Sequence, residues 1–381
     1  MTAGSSFAFT SAEYEHRLGR LRQHMSVVGA DIVIVDQAEH VCYLTGFLPT
    51  AAMYQCCVVP MDAAPIMIVR ALDEPRFHEE SWLRECVRFR DWEDPISILI
   101  DTIKANDWGR SRIGQELDSY FLSVARCELI RSRLPDAGFV DFSRFLWELR
   151  LRKSAEELAY HREAARIADA ALAAAISVAR AGMTERELMS TVYATALREG
   201  ADNTRLAQLA GGRDRQGLHG GRGTRSLQLG DLLQIEVAPQ YRGYTSRIMR
   251  PTSIGLPDSE VSGAAARLVE IQDSQLKAMR PGARASDIDR ICREGVLEAG
   301  LRADYSNITG YTLGYVATPR TSDLTRAFMP TAEWLLEEGM VFHMYISGRS
   351  LTFSDTVLIT DRGSERLTSL DRRLFAVSVD A

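Results

Sequence analysis

The segment "IEVAPQYRGYTSR", running from Ile235 to Arg247, sets a carboxylate and a guanidinium eleven positions apart. Apolar Ile235 and Val237 flank Glu236, the Arg242-Gly243 pair is a turn signal, and the returning segment carries Tyr244, Ser246 and Arg247. This is the pattern of a β-hairpin. A carboxylate on a buried strand must be paired or hydrogen-bonded, and Arg247 is the candidate partner. On spacing alone, a structural ion pair at a solvated edge and a ligand-binding pair stand side by side. Strand side chains alternate, so Gln234 shares the face of Glu236 in "LLQIEV". In "VFHMYI", His343 and Tyr345 share a face, with Val341 below them. Upstream, "GGRDRQGLHGGRGTR" holds His219 among Gly217, Gly220, Gly221 and Gly223. Glycines let a loop approach a ligand closely, and an imidazole can move protons near neutral pH. An incidental His in a solvent loop, and a core His343 bonded to a neighbouring strand, are the plainer readings. Together these residues describe a polar concavity over an apolar face, suited to acid–base and hydrogen-bonding chemistry.

The rest of the chain must position that face. Its 381 residues exceed one ordinary compact core, so two domains are expected. Hydrophobic residues make up 46% and charged residues 25%, as in soluble globular proteins. A net charge of -6 speaks against a nucleic-acid or anionic-membrane partner. No apolar run approaches the ~20 residues of a membrane span. The N-terminal segment lacks the pattern of a signal peptide, which points to the cytoplasm. The six cysteines form no CxxC and read as free thiols. Absence of GxGxxG removes the argument for a dinucleotide.

Residues 1–150 alternate helix and strand: an amphipathic helix ends near Gly29, "DIVIVD" is a short apolar run, and "MYQCCVVP" and "PIMIVR" look like neighbouring strands. The polar stretch Arg150 to Lys153 marks a domain boundary, giving an α/β domain over 1–150 and a second domain over 151–381. Ser154 with Glu157 and Thr184 with Glu187 form capping boxes that start two helices. Arg180, Gly182, Leu197 and Gly200 recur as Arg280, Gly282, Leu297 and Gly300, at a constant offset of 100. "GDLLQIEV" likewise matches "GMVFHMYI". The repeat predicts two related halves joined in one curved antiparallel sheet with helices outside.

Several segments resemble the creatinase and aminopeptidase P superfamily, the pita-bread fold, in the expected order. They are "DIVIVDQAEHVCYLTGF", "LRLRKSAEELAYHREAARIAD", "LHGG", "GDLLQIEV", "GYTSRIMR", "EEGMVFHMY" and "FSDTVLITDRGSERLT". His219 lies twelve residues before Asp231, the spacing the family uses for its substrate-binding His. Peptidase members bind two metal ions through Asp, Asp, His, Glu and Glu. The matching positions here are Glu236, Arg247, Tyr311, Tyr345 and Ser354. Only Glu236 remains a good ligand for a hard dication, and an arginine among the ligands would repel one. The resemblance therefore implies a site with no metal and no cofactor. "GYTLG" and "FHMY" resemble the metal-free branch that includes creatinase and proteins similar to ectoine hydrolase. Met249 and Ser354 replace two glutamates of creatinase-like proteins, which argues against creatine as substrate.

The resulting expectation is a metal-independent hydrolase of a C–N bond in a small polar, carboxylated nitrogen compound. His219 serves as base and then acid, Glu236 orients, Tyr311 and Tyr345 donate to an oxyanion, and Arg247 anchors a carboxylate. His343, Ser354, Gln234 and, from the first domain, Tyr54 complete the substrate contacts. The resemblance also implies a homodimer. A non-catalytic ligand-binding descendant and a lyase or cyclising enzyme are the alternatives, and a metallo-aminopeptidase fits least.

Overall fold

The computed structural model describes residues 8–50, 52–211 (backbone only for 204–211), 224–317, 322 and 324–377. They form two compact units, Met1–Arg150 and Leu151–Ala381.

The first unit runs α1 (Ser11–Val28), β1 (Ile32–Val35), α2 (Ala38–Thr45), β2 (Cys56–Pro60), β3 (Ile66–Arg70), α3 (Glu74–Glu80), β4 (Cys86–Phe89), α4 (Pro95–Ala105), β5 (Arg112–Gln115), α5 (Val124–Arg133), β6 (Gly138–Asp141) and α6 (Phe145–Leu149). Its sheet has the order β4-β3-β2-β1-β5-β6. The apolar runs are continuous because both faces are covered. Val33, Val35, Cys57 and Val59 face α1, α2, α3 and α6, while Ile32, Ile34, Cys56 and Val58 face α4 and α5.

The second unit runs α7 (Ala155–Val178), α8 (Glu185–Arg198), β7 (Asn203–Gly211), β8 (Leu232–Tyr241), β9 (Tyr244–Thr245), β10 (Ile248–Ile254), α9 (Ser259–Ala278), α10 (Ala285–Glu298), β11 (Gly310–Thr312), β12 (Ala327–Phe328), β13 (Val341–Gly348), β14 (Leu351–Ile359), β15 (Ser364–Arg366) and β16 (Phe375–Val377). Both capping boxes form, each with reciprocal side-chain and backbone bonds. The sheet path is β12-β11-β13-β14-β10-β8-β7. The triplets β7-β8-β10 and β11-β13-β14 are equivalent, and they join where Met249 of β10 pairs with Ser354 of β14. Each triplet is preceded by a long helix and a shorter one. Gly182 and Gly282 hold the same turn at φ 84° and 81°, a left-handed value that glycine adopts without strain. The repeat read at an offset of 100 is thus a structural duplication.

Period two then sorts the side chains. Leu233, Ile235, Val237 and Ile248 pack on α7 and α8. Phe342, Met344 and Val357 belong to the core under α9 and α10, as do Ile346 and Phe353. The opposite face therefore carries Gln234, Glu236, His343, Tyr345 and Ser354. At the junction of the halves, Arg250 and Asp355 pair at 2.8 Å with neither side chain exposed. Arg250 also donates to the carbonyls of Ser354, Leu370 and Asp371, so its role is structural.

A buried acid cluster sits in the first unit. The parallel pairing of β1 with β5 brings residues 36–40 beside Glu116. Glu116 Oε2 accepts the N–H groups of Asp36 and Gln37 at 3.2 and 3.4 Å, and Oε1 is hydrogen-bonded to His40 Nδ1. Burial, with the Glu116 charge adding to it, pushes Asp36 up to about 7. Burial pushes Glu116 up to about 8. In the unfolded chain both groups release their protons near pH 4. The folded state therefore binds more protons than the unfolded state between roughly pH 4 and 8, and stability falls as pH rises through that window. Glu116→Gln keeps an acceptor for the two N–H groups and mimics the protonated acid. We expect it to flatten the fall in melting temperature between pH 5 and 8 measured by calorimetry. An unchanged slope would contradict this assignment.

Candidate active site

The Arg242-Gly243 turn has φ values of 50° and 76°, the left-handed pair a tight hairpin needs. A side chain at Gly243 would meet the Tyr315 ring. The returning chain pairs as β9 and then leaves the ladder at Ser246 and Arg247 before β10 begins. Side chains hold this interruption. The Ser246 hydroxyl donates to the His161 carbonyl at 2.9 Å. Thr356 of β14 accepts the Arg247 N–H at 2.8 Å and donates to the Arg247 carbonyl at 3.0 Å. The Arg247 side chain is thereby fixed against β8.

Arg247 Nε donates to Glu236 Oε1 at 2.9 Å. Nη2 donates to the same oxygen, and Nη1 donates to the Tyr311 hydroxyl. Glu236 and Arg247 are 1% and 5% exposed, so this is a buried ion pair and not a solvated edge contact. Burial alone would lower the guanidinium, but the adjoining Glu236 carboxylate and the Tyr311 phenol outweigh it and hold the group above its ordinary value. Among the described residues, three of the five guanidinium N–H bonds are committed, which leaves one on each terminal nitrogen. The expected carboxylate anchor is restricted to that outer edge.

Tyr311 of β11 pairs with His343 of β13, and Tyr345 pairs with Ser354 of β14. The Tyr311 and Tyr345 rings lie 6.1 Å apart. Burial raises both phenols above their ordinary value, so both are protonated at neutral pH. Tyr311 accepts from Arg247, and Tyr345 accepts from Asn307 Nδ2 at 3.4 Å. Each phenol therefore keeps its own proton to donate. His343 is fully buried, with ring centroids 5.1 Å from Tyr311 and 5.4 Å from Tyr345. Burial, reinforced by the Arg247 charge, holds it well below its ordinary value, so it is a neutral imidazole.

Among the described residues, Glu236 Oε2, both His343 ring nitrogens and the Ser354 hydroxyl have no hydrogen-bond partner. An unpaired buried polar group costs about 1–3 kcal/mol. Several such groups share one sheet face, which gives it hydrogen-bonding capacity that the described residues do not use. Gln234 lies on the same face, with its amide directed at the Met249 sulfur at 3.7 Å.

The structure thus gathers Glu236, Arg247, Tyr311, Tyr345, His343, Ser354 and Gln234. His219 lies outside the described residues. Tyr54 does not fit its expected role: it is 1% exposed and donates its hydroxyl proton to Asp36 at 2.9 Å, within the first unit. It has no proton left for a substrate. Sequence reading missed Thr356, which holds the Arg247 backbone from 109 positions away. It also missed Asn307, which fixes Tyr345. Thr356 lies within the quoted "FSDTVLITDRGSERLT", but nothing in that segment signals its contact with Arg247.

The residues do not suit a divalent metal. Glu236 offers one uncommitted oxygen, and the charge beside it is a guanidinium fixed by that carboxylate and a phenol. Tyr311, Tyr345 and Ser354 are neutral and protonated. A hard dication wants several carboxylate or imidazole ligands and no adjoining cation.

Residues 17–152 match the creatinase/prolidase N-terminal domain, and residues 159–361 match metallopeptidase family M24. The ectoine hydrolase of Halomonas elongata is 25% identical, over 97% of this chain and 98% of that protein. A Xaa-Pro dipeptidase of Pyrococcus furiosus is 27% identical, over 94% of this chain and 99% of the relative. A prolidase structure from Thermococcus sibiricus superposes with a TM-score of 0.85 at 24% identity, covering 97% of this chain and 100% of that one. Residue matches and architecture agree: the chain belongs to metallopeptidase family M24, within the creatinase and aminopeptidase P superfamily, with its N-terminal α/β domain and its pita-bread domain.

Proposed function

We propose that this protein hydrolyses a C–N bond in a small, polar, carboxylated nitrogen compound without a metal ion. The observation that carries this reading is the Arg247 guanidinium, held by Glu236 and Tyr311 where the family resemblance places metal ligands. The likeness to an ectoine hydrolase, a hydrolase by name, supports the reaction class. A fixed cation offers directional donors rather than Lewis acidity.

The chemistry divides among the site groups. A neutral imidazole, assigned to His219, takes a proton from water as the water oxygen bonds to the substrate carbon. The C–N bond then breaks as that proton passes to the leaving nitrogen. Tyr311 and Tyr345 donate to the oxygen or nitrogen on which negative charge develops. Arg247 sharpens Tyr311 as a donor because it bonds to the phenol oxygen. Glu236 Oε2 receives an N–H of the substrate or a hydrogen of the water. His343 and Ser354 supply further hydrogen bonds, and the outer edge of Arg247 takes the carboxylate.

Turnover of carboxylated amides and amidines in ¹⁸O-labelled water should place the label in the product, whereas a lyase or an inactive homologue would not incorporate it. This activity should survive dialysis against a chelator. Loss on chelation with recovery on adding manganese, cobalt or zinc would contradict the reading.

Arg247→Met should raise the substrate constant by roughly ten- to a hundredfold, the worth of a charge-assisted contact. It should also destabilise the fold, because Glu236 is left buried and unpaired. The double variant Glu236→Gln/Arg247→Met should recover much of the melting temperature but not the affinity. Recovery of both would make Arg247 a purely structural partner of Glu236. His219→Ala should cut turnover by about 100-fold or more with little change in binding.

A further inference from the structure

A carboxylate, an imidazole and a thiol converge in the first unit, on residues that the hydrolytic reading does not use. Glu74 and His78 stand at i and i+4 on α3, so they share one helix face. Cys86 opens β4, whose parallel pairing with β3 sets Cys86 opposite Met67. One ligand atom from each of the three lies within 4.8 Å of the others. His78 Nε2 and Cys86 Sγ are 3.8 Å apart. Tetrahedral zinc, with bonds of about 2.3 Å to sulfur and about 2.0 Å to nitrogen, holds two such atoms roughly 3.5 Å apart. The His78–Cys86 pair needs only a few tenths of an ångström of adjustment.

We propose that Glu74, His78 and Cys86 form a binding site for a borderline transition-metal dication such as zinc or cobalt, with three protein ligands and an open position for water. The mixed carboxylate, imidazole and thiolate set suits such ions and is a poor set for magnesium or calcium. A reactive thiol is the competing use of a Cys–His pair, but the surroundings oppose it. Burial, then the Glu74 and Glu85 carboxylates, push the Cys86 thiol up and disfavour a free thiolate. The same negative charges favour a dication. Glu74 is already paired with Arg88 at 3.0 Å, but the arginine side chain is 66% exposed and the pair is weakly held. Glu74 also has a second oxygen to offer.

Binding replaces the Cys86 S–H bond with a sulfur–metal bond and releases one proton per ion. The ion would tie α3 to β4 across the turn at 81–85. This inference is independent of the hydrolytic reading.

The test is titration of the chelator-stripped, full-length protein with cobalt(II) under anaerobic, thiol-free conditions. The expected result is a near-ultraviolet thiolate-to-cobalt absorption band that saturates at one ion per chain. It should be absent in Cys86→Ser, and the dissociation constant should rise about tenfold or more in His78→Ala, since even outer-shell losses cost about 10–100-fold. Cys86→Ser should fold and turn over substrate as the parent does, so this site can fail while metal-independent hydrolysis stands, and the reverse. No thiolate band, or a band that persists in Cys86→Ser and so belongs to other thiols, would overturn the proposal.

Discussion

A buried guanidinium must have a counter-charge, and the second unit is arranged around meeting that requirement for Arg247. The carboxylate comes from β8, and the arginine comes from the two residues where the chain steps off the ladder before β10. Thr356 of β14 fixes its backbone, and Tyr311 of β11 caps the free end of its fork. Strands from both halves of the duplication therefore converge on one charge. Removing either partner of such a pair leaves the other ion stranded, at a cost of about 3–5 kcal/mol. Beneath it, the Arg250–Asp355 pair fastens β10 to β14 on the helix-facing side, so the seam between the halves is held by charge on that face as well.

The pair also decides what kind of chemistry the concave face can support. Among the described residues, its positive charge is satisfied on one edge and open on the other, which suits an anionic group presented in a plane. Around it stand protonated phenols, a neutral imidazole and a hydroxyl: groups that donate and accept hydrogen bonds at neutral pH without changing charge. The neutrality of His343 follows from its burial beside Arg247. Where a metallopeptidase polarises its substrate with cations, this surface has proton donors whose oxygens are already anchored by Arg247 and Asn307. What these groups themselves supply is orientation and hydrogen bonding.

Much of this was legible in the sequence because it depends on local periodicity. The capping boxes at Ser154 and Thr184, the turn at Arg242-Gly243, and the alternation along "LLQIEV" and "VFHMYI" all follow from rules spanning a few residues. The duplication was legible because two turns need glycine at the same place. The resemblance named the positions around Glu236, and the eleven-residue spacing named its partner. What stayed hidden depends on strand order. Thr356 is remote from Arg247 in sequence, and no pattern near either residue announces the contact. Asp36, His40 and Glu116 come together only because β5 lies parallel beside β1. For the same reason Tyr54, placed near the substrate by analogy, is occupied with Asp36. Glu74 and His78 are helix neighbours that a sequence can show, but Cys86 joins them only through the pairing of β4 with β3.

The central claim is that a fixed cation has taken the place of metal at the family's catalytic position. Anomalous diffraction from crystals equilibrated with millimolar manganese tests it directly. The account predicts no anomalous density among Glu236, Arg247, Tyr311, Tyr345 and Ser354, with Arg247 still bonded to Glu236. A manganese peak at that position, with Arg247 turned away and Glu236 ligating the ion, would contradict it.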